Sequence, residues 1–195
     1  MREKRKSYRE RYFENYQAVK VPADNRKGYK VEYRYTGLWA QWESETGPLS
    51  GVKRKFVLLE LFSLAFYLPS VLSGTPLSVS RLANGFGALS LVPWILELSG
   101  VIRFLISSDY VKEPSAGEIG TSIRNGCVIR FILAALSAIG GGIQILVQGK
   151  ACFADIPVFL GIGFSAVISL LIKREFDRLL IITYRNDNGN PGSRM

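Results

Sequence analysis

The chain has 195 residues, a mass of 21.7 kDa and a formal net charge of +9, with 25 Lys and Arg against 16 Asp and Glu and no His. Its charged and apolar residues occupy different stretches, which excludes an ordinary soluble domain with charges spread over its whole surface. The lack of His excludes His-based metal sites, Ser-His-Asp triads and His general bases.

Residues 1–55 form a basic and aromatic N-terminal segment that holds 14 of the Lys and Arg residues. After a turn-forming stretch at 22–28, valine and tyrosine alternate with charged residues over 29–35. Such alternation is typical of a half-buried strand, so we predict a β-hairpin around residues 16–36. A lone hairpin is marginal in water. Its aromatic face therefore needs a cover, for which the candidates are the bilayer interface, a partner protein and the sequence LLIITY at 179–184.

Two tryptophans, Trp39 and Trp42, precede the first long apolar run. Amphipathic aromatic side chains favour the headgroup region of a bilayer. We therefore predict that a segment near 38–42 lies in the membrane interface and that the two tryptophans anchor it there. The alternative is that this segment is a docking strand for a cytoplasmic partner protein.

Four nearly uncharged runs follow the N-terminal segment, at about 56–73, 85–107, 126–147 and 156–172. Crossing a hydrocarbon core of about 30 Å takes roughly 20 apolar residues in a helix. A soluble chain of this length has too little amphipathic sequence left to cover four helices that are apolar all round. The sequence therefore predicts an all-α polytopic membrane protein with a four-transmembrane-helix bundle over 56–172.

The Lys and Arg residues set the orientation of this predicted bundle. With the N-terminus inside, the segments 1–55, about 103–130 and 173–195 hold 23 of the 25 basic residues, and the outer loops hold only Arg81 and Lys150. Because Lys and Arg are retained on the cytoplasmic side, we predict a multi-pass protein with cytoplasmic N- and C-terminal segments. This retention and the attraction to anionic lipids account for the net charge, so we expect no nucleic-acid partner.

Four ionisable residues lie within the predicted spans, where a charge is costly and usually faces protein or water: Glu60, Glu97, Arg103 and Arg130. Glu97 lies ten residues before Ser107, about 15 Å from the inner end of its span and thus near the midplane. Either its carboxyl is protonated, which desolvation favours, or a long Arg reaches it. Arg103 and Arg130 are close enough to the inner boundary to extend to the headgroups. Alternatively, one of them pairs with Glu60, and Arg130 is the best candidate partner for Glu60 or Glu97.

Small residues recur every four positions on the third and fourth predicted spans. Such faces allow helices to approach closely in lipid. We expect the two faces to meet as an antiparallel pair, or one of them to form a homodimer. The residues are Ala134, Ala138 and Gly142 on the third span and Gly161, Ser165 and Ser169 on the fourth.

The sequence offers little catalytic chemistry. It lacks a phosphate-binding lysine motif, and the two cysteines, Cys127 and Cys152, lie at opposite ends of the predicted bundle. We therefore expect no enzymatic activity, no cofactor and no metal.

Two hypotheses for the function remain. The chain is a non-catalytic accessory or scaffold subunit of a membrane complex, with a protein partner or a second copy of itself. Alternatively, it is a small oligomeric proton- or cation-coupled carrier that uses Glu97.

Overall fold

Five helices and five strands make up the computed structural model, which describes residues 15–24, 26–45, 47–72, 81–148 and 155–185. Within the described residues, three strands precede the first helix and one strand follows the last helix. In order, the elements are β1 (Tyr16–Pro22), β2 (Tyr29–Tyr35), β3 (Leu38–Ser44), α1 (Leu49–Leu72), α2 (Arg81–Leu89), α3 (Leu91–Ile106), β4 (Tyr110–Lys112), α4 (Glu113–Gln148), α5 (Asp155–Asp177) and β5 (Leu179–Arg185).

Helices α3 and α4 pack against each other in antiparallel directions. Arg103 of α3 pairs with Glu118 near the start of α4, and farther along α4 the backbone of Glu97 lies against Gly126. Helices α1 and α5 are also antiparallel. Lys55, early in α1, pairs with Glu175 near the end of α5, and Phe66, later in α1, packs against Phe164, earlier in α5. One end of the helical layer thus gathers the last turns of α3 and α5 and the first turns of α1 and α4.

A break at Ser90 separates α2 from α3. Pro93 lies three residues later and has no N–H, so it cannot continue the helical hydrogen bonds of the preceding turn. At the break, the Gly87 carbonyl accepts from the Ser90 hydroxyl at 2.6 Å, from the Ser90 backbone N–H at 3.2 Å and from the Tyr67 hydroxyl of α1 at 2.7 Å. The break is therefore closed by side-chain and backbone donors and stays buried.

Two stretches of the described chain, Gly85–Ile106 and Glu113–Ile143, are helical, long enough and apolar enough to cross a membrane. Only 33% and 39% of the residues in their apolar windows are buried. A core helix of a soluble protein would bury most of such a window. Length, composition and exposure together support membrane association.

The prediction of an all-α bundle with four spans is wrong. The described residues contain two antiparallel sheets, and only the two stretches named above pass as spans. The predicted first and fourth spans fall in α1, where a nearly uncharged run starts at 56, and in α5, where an uncharged run covers 156–172. The run of α5 has 17 residues, which is shorter than the roughly 20 residues that a straight crossing needs. Basic residues directly precede the first run and follow the second.

The first sheet is the hairpin of β1 and β2, which lies where the alternation of residues predicted it. Tyr16 is opposite Tyr35 and Pro22 is opposite Tyr29. Gly28 adopts a positive φ of 72° in the connection, a conformation that glycine takes without steric cost. Only the end of the hairpin nearest the helices is covered, since Tyr35 is buried.

The second sheet has three antiparallel strands in the order β4-β3-β5. The central strand β3 pairs on one edge with β4, where Gln41 is opposite Tyr110, and on the other with β5, where Gln41 is opposite Ile182. The sequence LLIITY therefore forms most of β5 and pairs with β3, rather than covering the hairpin.

The sheet rests on the gathered helix ends through an aromatic cluster. Trp42 of β3 is only 3% exposed and packs edge-on against Phe104 of α3 and Phe176 of α5, with ring centroids 5.3 and 5.8 Å away. Phe56 of α1 completes the cluster. The prediction that Trp42 anchors the chain in the headgroup region is thus wrong. Trp42 is buried between the three-stranded sheet and the helix ends, against Phe104 and Phe176. Trp39 is half-buried against Tyr35.

Ion pairs surround this end of the helical layer. Asp177, at the end of α5, accepts hydrogen bonds from Lys173 and Arg124, both at 2.7 Å. Burial alone would raise the pKa of Asp177, but these two bonds outweigh it and hold the pKa below its ordinary value of 3.8. The carboxylate therefore ties α5 to α4 at neutral pH.

Candidate functional site

Glu97 of α3 and Arg130 of α4 form a fully buried ion pair. The Arg130 guanidinium lies 3.5 Å from Glu97 Oε2, and the two side chains are 1% and 0% exposed. The helices approach closely here because Gly126, one turn before Arg130, has no side chain to separate it from the Glu97 backbone. The glycine therefore positions the pair.

Arg130 is also held by groups from three other parts of the fold. It donates to the hydroxyl of Ser169 at 2.9 Å and to that of Ser165, both on α5. Its guanidinium carbon lies 5.5 Å from the ring centroid of Tyr67 on α1 and 5.8 Å from that of Trp94 on α3. Cations are attracted to aromatic faces at such distances, most strongly where water is excluded.

Glu97 accepts a second hydrogen bond, from the Ser169 hydroxyl to Oε2 at 3.0 Å. Its other oxygen, Oε1, is buried without a nitrogen or oxygen donor among the described residues. Only the thiol of buried Cys127, a weak donor, lies beside this carboxylate. The carboxylate thus has two strong donors, one of them cationic.

Glu60 of α1 is the second acid in this buried cluster. It is 7% exposed, and its Oε2 accepts a hydrogen bond from the indole N–H of Trp94 at 3.2 Å. Its Oε1 is buried and has no hydrogen-bond partner within the described part of the chain. Glu60 lies within electrostatic range of both Glu97 and Arg130. We call Glu60, Glu97, Arg130 and the serines and aromatic rings that contact them the polar cluster.

The structure brings together three of the four predicted ionisable residues and separates the fourth. Arg130 is paired with Glu97, and Glu60 lies nearby with a Trp donor instead of an Arg partner. Arg103 is more than half exposed and lies 3.7 Å from Glu118. Its position fits a residue of the helix ends and not one of the polar cluster.

Helices α4 and α5 pack against each other, and Ser165 and Ser169 of the predicted α5 face contact Arg130 of α4. The predicted face of α4 is buried at only part of its positions. Ala134 is buried, but Ala138 is exposed, and a Cβ added at Gly142 would find no atom within 4 Å. Gly161 of α5 lies against the backbone of α1. A Cβ added at Gly161 would lie 2.6 Å from the Phe66 carbonyl oxygen. The close crossing of α5 is therefore made with α1.

The two predicted packing serines of α5 have a different role. Ser165 and Ser169 are buried and point at Arg130, and Ser165 also lies 3.4 Å from the Ser63 hydroxyl of α1. They are ligands of the guanidinium rather than spacers between helices. Serine is small enough to allow close approach and also polar enough to bind a charge, so the spacing alone did not separate these roles.

Trp94 and Tyr67 belong to the polar cluster but were not singled out from the sequence. A usable signal was present. On α1 the buried polar residues Glu60, Ser63, Tyr67 and Ser70 follow spacings of three and four. This is one face of a helix, so a polar stripe within an apolar run predicts a shared interior site. Trp94 lies three residues before Glu97 and therefore on the same side of α3.

No protein-family model matches this chain, and neither a curated protein nor a solved structure shows significant similarity to it.

Proposed function

We propose that this chain is a multi-pass membrane protein with a non-catalytic accessory or scaffold role, and that its β1–β2 hairpin binds a protein partner on the cytoplasmic side. The observation that carries the proposal is an uncovered aromatic and aliphatic face on the hairpin, which is held at the end of the helical layer.

Apolar side chains on the outside of the helices support insertion in a bilayer. Val92, Ile95 and Ile102 of α3 and Ile132 and Ile139 of α4 are between 48% and 60% exposed. Large contiguous apolar surfaces are rare on soluble monomers and are typical of surfaces that contact lipid or protein. All backbone groups inside a helix are satisfied internally, as hydrocarbon requires.

Charge supports the orientation. Apart from the buried Glu97–Arg130 pair, the ion pairs given for the described helices, among them Lys55–Glu175 and Arg124–Asp177, lie at the end that carries the three-stranded sheet. Lys112 and Lys53 belong to the same end. Because basic residues are retained on the cytoplasmic side, we place both sheets and both terminal segments in the cytoplasm.

The hairpin is fixed to the second sheet through its base. Tyr35 packs edge-on against Tyr16 and Trp39, with centroids 5.3 and 5.5 Å away, and its hydroxyl donates to the Leu38 carbonyl at 3.0 Å. Lys112 of β4 donates to the Tyr16 hydroxyl and lies over the Tyr16 ring. The hairpin is therefore held by the second sheet at its base.

The same face of the hairpin is open farther from the base. Val31 is 47% exposed and Tyr33 is 65% exposed. No third strand pairs with the hairpin within the described part of the chain, and the main-chain groups at a strand edge can pair with an added strand. A protein segment can fill these edges and cover the side chains, whereas lipid headgroups offer no such ladder. A protein partner is therefore the occupant we propose.

The polar cluster has a structural role under this proposal. A buried polar pair between membrane helices adds little net stability, but removing one member is strongly destabilising because it leaves the other buried and unpaired. Arg130 contacts side chains of α1, α3 and α5. It therefore fixes the relative positions of the helices that support the sheet.

Site-specific cross-linking in cells tests the proposal with the full chain. A photoreactive amino acid at position 33 should give a discrete adduct with one protein, because the Tyr33 side chain lies on the open face. The matched control is position 34, which is exposed on the opposite face. Equal adducts at both positions, adducts with lipid alone at position 33, or no adduct would contradict the proposal.

The alternative is a proton- or cation-coupled carrier that uses Glu97, acting as an oligomer. It is favoured by one observation, namely that the polar cluster holds two carboxyl groups and one guanidinium. Glu97→Gln separates the two functions. Loss of a proton-coupled flux without loss of folded protein would support the carrier. Unchanged flux with lower thermal stability would support the structural role.

A further inference from the structure

We infer that Glu60 is a proton-binding site inside the helical layer, where its carboxyl is neutral at neutral pH while Glu97 remains ionised as the partner of Arg130. The inference concerns the polar cluster alone and does not depend on the partner of the hairpin. The proton is bound by Glu60 and not by Glu97, the acid near the predicted midplane.

The two carboxyl groups differ in the donors that contact them. Glu97 accepts from the Arg130 guanidinium and from the Ser169 hydroxyl. Glu60 accepts only from the Trp94 indole. Hydrogen bonds from a charged donor stabilise a carboxylate much more than bonds from a neutral one. When only one of the two acids can be ionised, the negative charge is therefore better placed on Glu97.

Charge balance within the cluster leads to the same assignment. The titratable or charged groups that act on Glu60 are Glu97 on α3 and Arg130 and Cys127 on α4. Tyr67, on the same helix as Glu60, contacts Arg130. From α5, the described contacts are serine hydroxyls. Arg130 is the one cation among these groups, and Glu97 already neutralises it. An ionised Glu60 would thus be a buried and uncompensated charge, which proteins avoid by taking up a proton.

The hydrogen-bond pattern of Glu60 suits the neutral acid. A protonated carboxyl has one O–H donor and one carbonyl acceptor. Oε2 accepts from Trp94, so it is the carbonyl oxygen, and the proton belongs on Oε1, which contacts no donor. Glu97 Oε1, the other carboxyl oxygen without a nitrogen or oxygen donor, remains an acceptor in the same cluster.

A proton fits the cluster better than a metal ion. Hard cations such as Ca²⁺ take six to eight oxygen ligands. The described residues contain no group of three or more His, Cys, Asp or Glu that could hold a metal. The free ligand positions are single carboxyl oxygens, and one proton is enough to remove the surplus negative charge.

Carboxyl labelling tests the assignment on the full-length protein in liposomes. N,N′-dicyclohexylcarbodiimide partitions into hydrocarbon and reacts with protonated carboxyl groups. Peptide mass spectrometry should place the adduct on Glu60, with a rate that falls as pH rises. The infrared carbonyl band of a neutral carboxylic acid should be present in the wild type. It should disappear in Glu60→Gln. It should weaken in Glu97→Gln, because Glu60 is then the one acid left in the cluster to balance Arg130.

Thermal unfolding of the same two variants gives an independent result. Glutamine resembles a neutral glutamic acid in shape and charge, so Glu60→Gln should unfold within about 2 °C of the wild type. Glu97→Gln leaves Arg130 without its anionic partner, so it should unfold at a clearly lower temperature. An adduct on Glu97, no change of the acid band in Glu60→Gln, or equal destabilisation of the two variants would each overturn the inference.

Discussion

The contact between α3 and α4 at Gly126 gives a quantitative test of the helix packing. A Cβ at this position would lie 2.6 Å from the Glu97 nitrogen and 2.8 Å from its Cα, whereas ordinary Cβ contacts begin at 3.4 Å. Both atoms belong to the backbone of α3, so no side-chain rotation can make room. Gly126→Ala must therefore move the two helices apart by about 0.8 Å, the difference between 3.4 and 2.6 Å.

The expected cost follows from two opposing effects. Overpacking a close-packed interior typically costs about 1–3 kcal/mol. Replacing glycine by alanine inside a helix contributes up to about 1 kcal/mol of stability. Separation of the helices also lengthens the 3.5 Å contact between Arg130 and Glu97. We therefore expect Gly126→Ala to lower the free energy of unfolding by about 1–2 kcal/mol.

Titration with sodium dodecyl sulfate in mild-detergent micelles measures this free energy for a membrane protein. The matched control is Gly142→Ala on the same helix, since an added Cβ there would meet no atom within 4 Å. The control should be unchanged or more stable by up to about 1 kcal/mol. If Gly126→Ala unfolds at the same detergent composition as the wild type, or if both variants lose the same stability, the packing described for α3 and α4 is wrong.

Three further predictions concern the aromatic cluster, the ion pair and the helix ends. Trp42→Ala should cost about 3–5 kcal/mol by leaving a cavity under the sheet, whereas Leu38→Ala, at an exposed position of the same strand, should stay within about 0.5 kcal/mol in the same titration. Arg130→Leu should cost about 3–5 kcal/mol, and adding Glu97→Leu should recover most of it; a double variant no more stable than the single one would contradict the pairing. The pKa of Asp177 is lower in the folded state than in the unfolded state. The contribution of Asp177 to folding stability is therefore fully present above the pKa of the unfolded state, and it is lost as pH falls through the pKa of the folded state. Asp177→Asn should thus unfold at a lower temperature than the wild type at pH 7, and the two should converge in acid; a difference independent of pH would contradict this.

Residue patterns of short range predicted local structure well. The alternation at 29–35 gave the hairpin, since period-two patterns follow directly from strand geometry. The headgroup preference of aromatic side chains gave a wrong prediction for Trp42, which is buried under the sheet. Tryptophans beside an apolar run suit a membrane interface and a sheet interior equally well, and the choice depends on the pairing of β3 with a strand near the other end of the chain.

Depth along a helix predicted which charged residues could meet, but not which of them do. Arg130 and Glu97 lie at positions from which a long side chain can join them, and the structure places them 3.5 Å apart. Arg103 had a comparable depth but lies against Glu118. The difference arises from rotation of each helix about its axis. Close contacts such as that at Gly126 fix this rotation, and they depend on the partner helix.

The position of β3 between β4 and β5 has a consequence for how the protein is made. Gln41 is paired with Ile182, 141 positions later in the chain. During synthesis, β3 therefore leaves the ribosome before the five described helices, and its partner β5 follows only after α5. Throughout this interval the strand has an unpaired edge and a Trp42 without its Phe176 neighbour. Nascent chains that stop before β5 should be substrates for chaperones or proteases, and completion of the sheet should mark the release of a mature molecule.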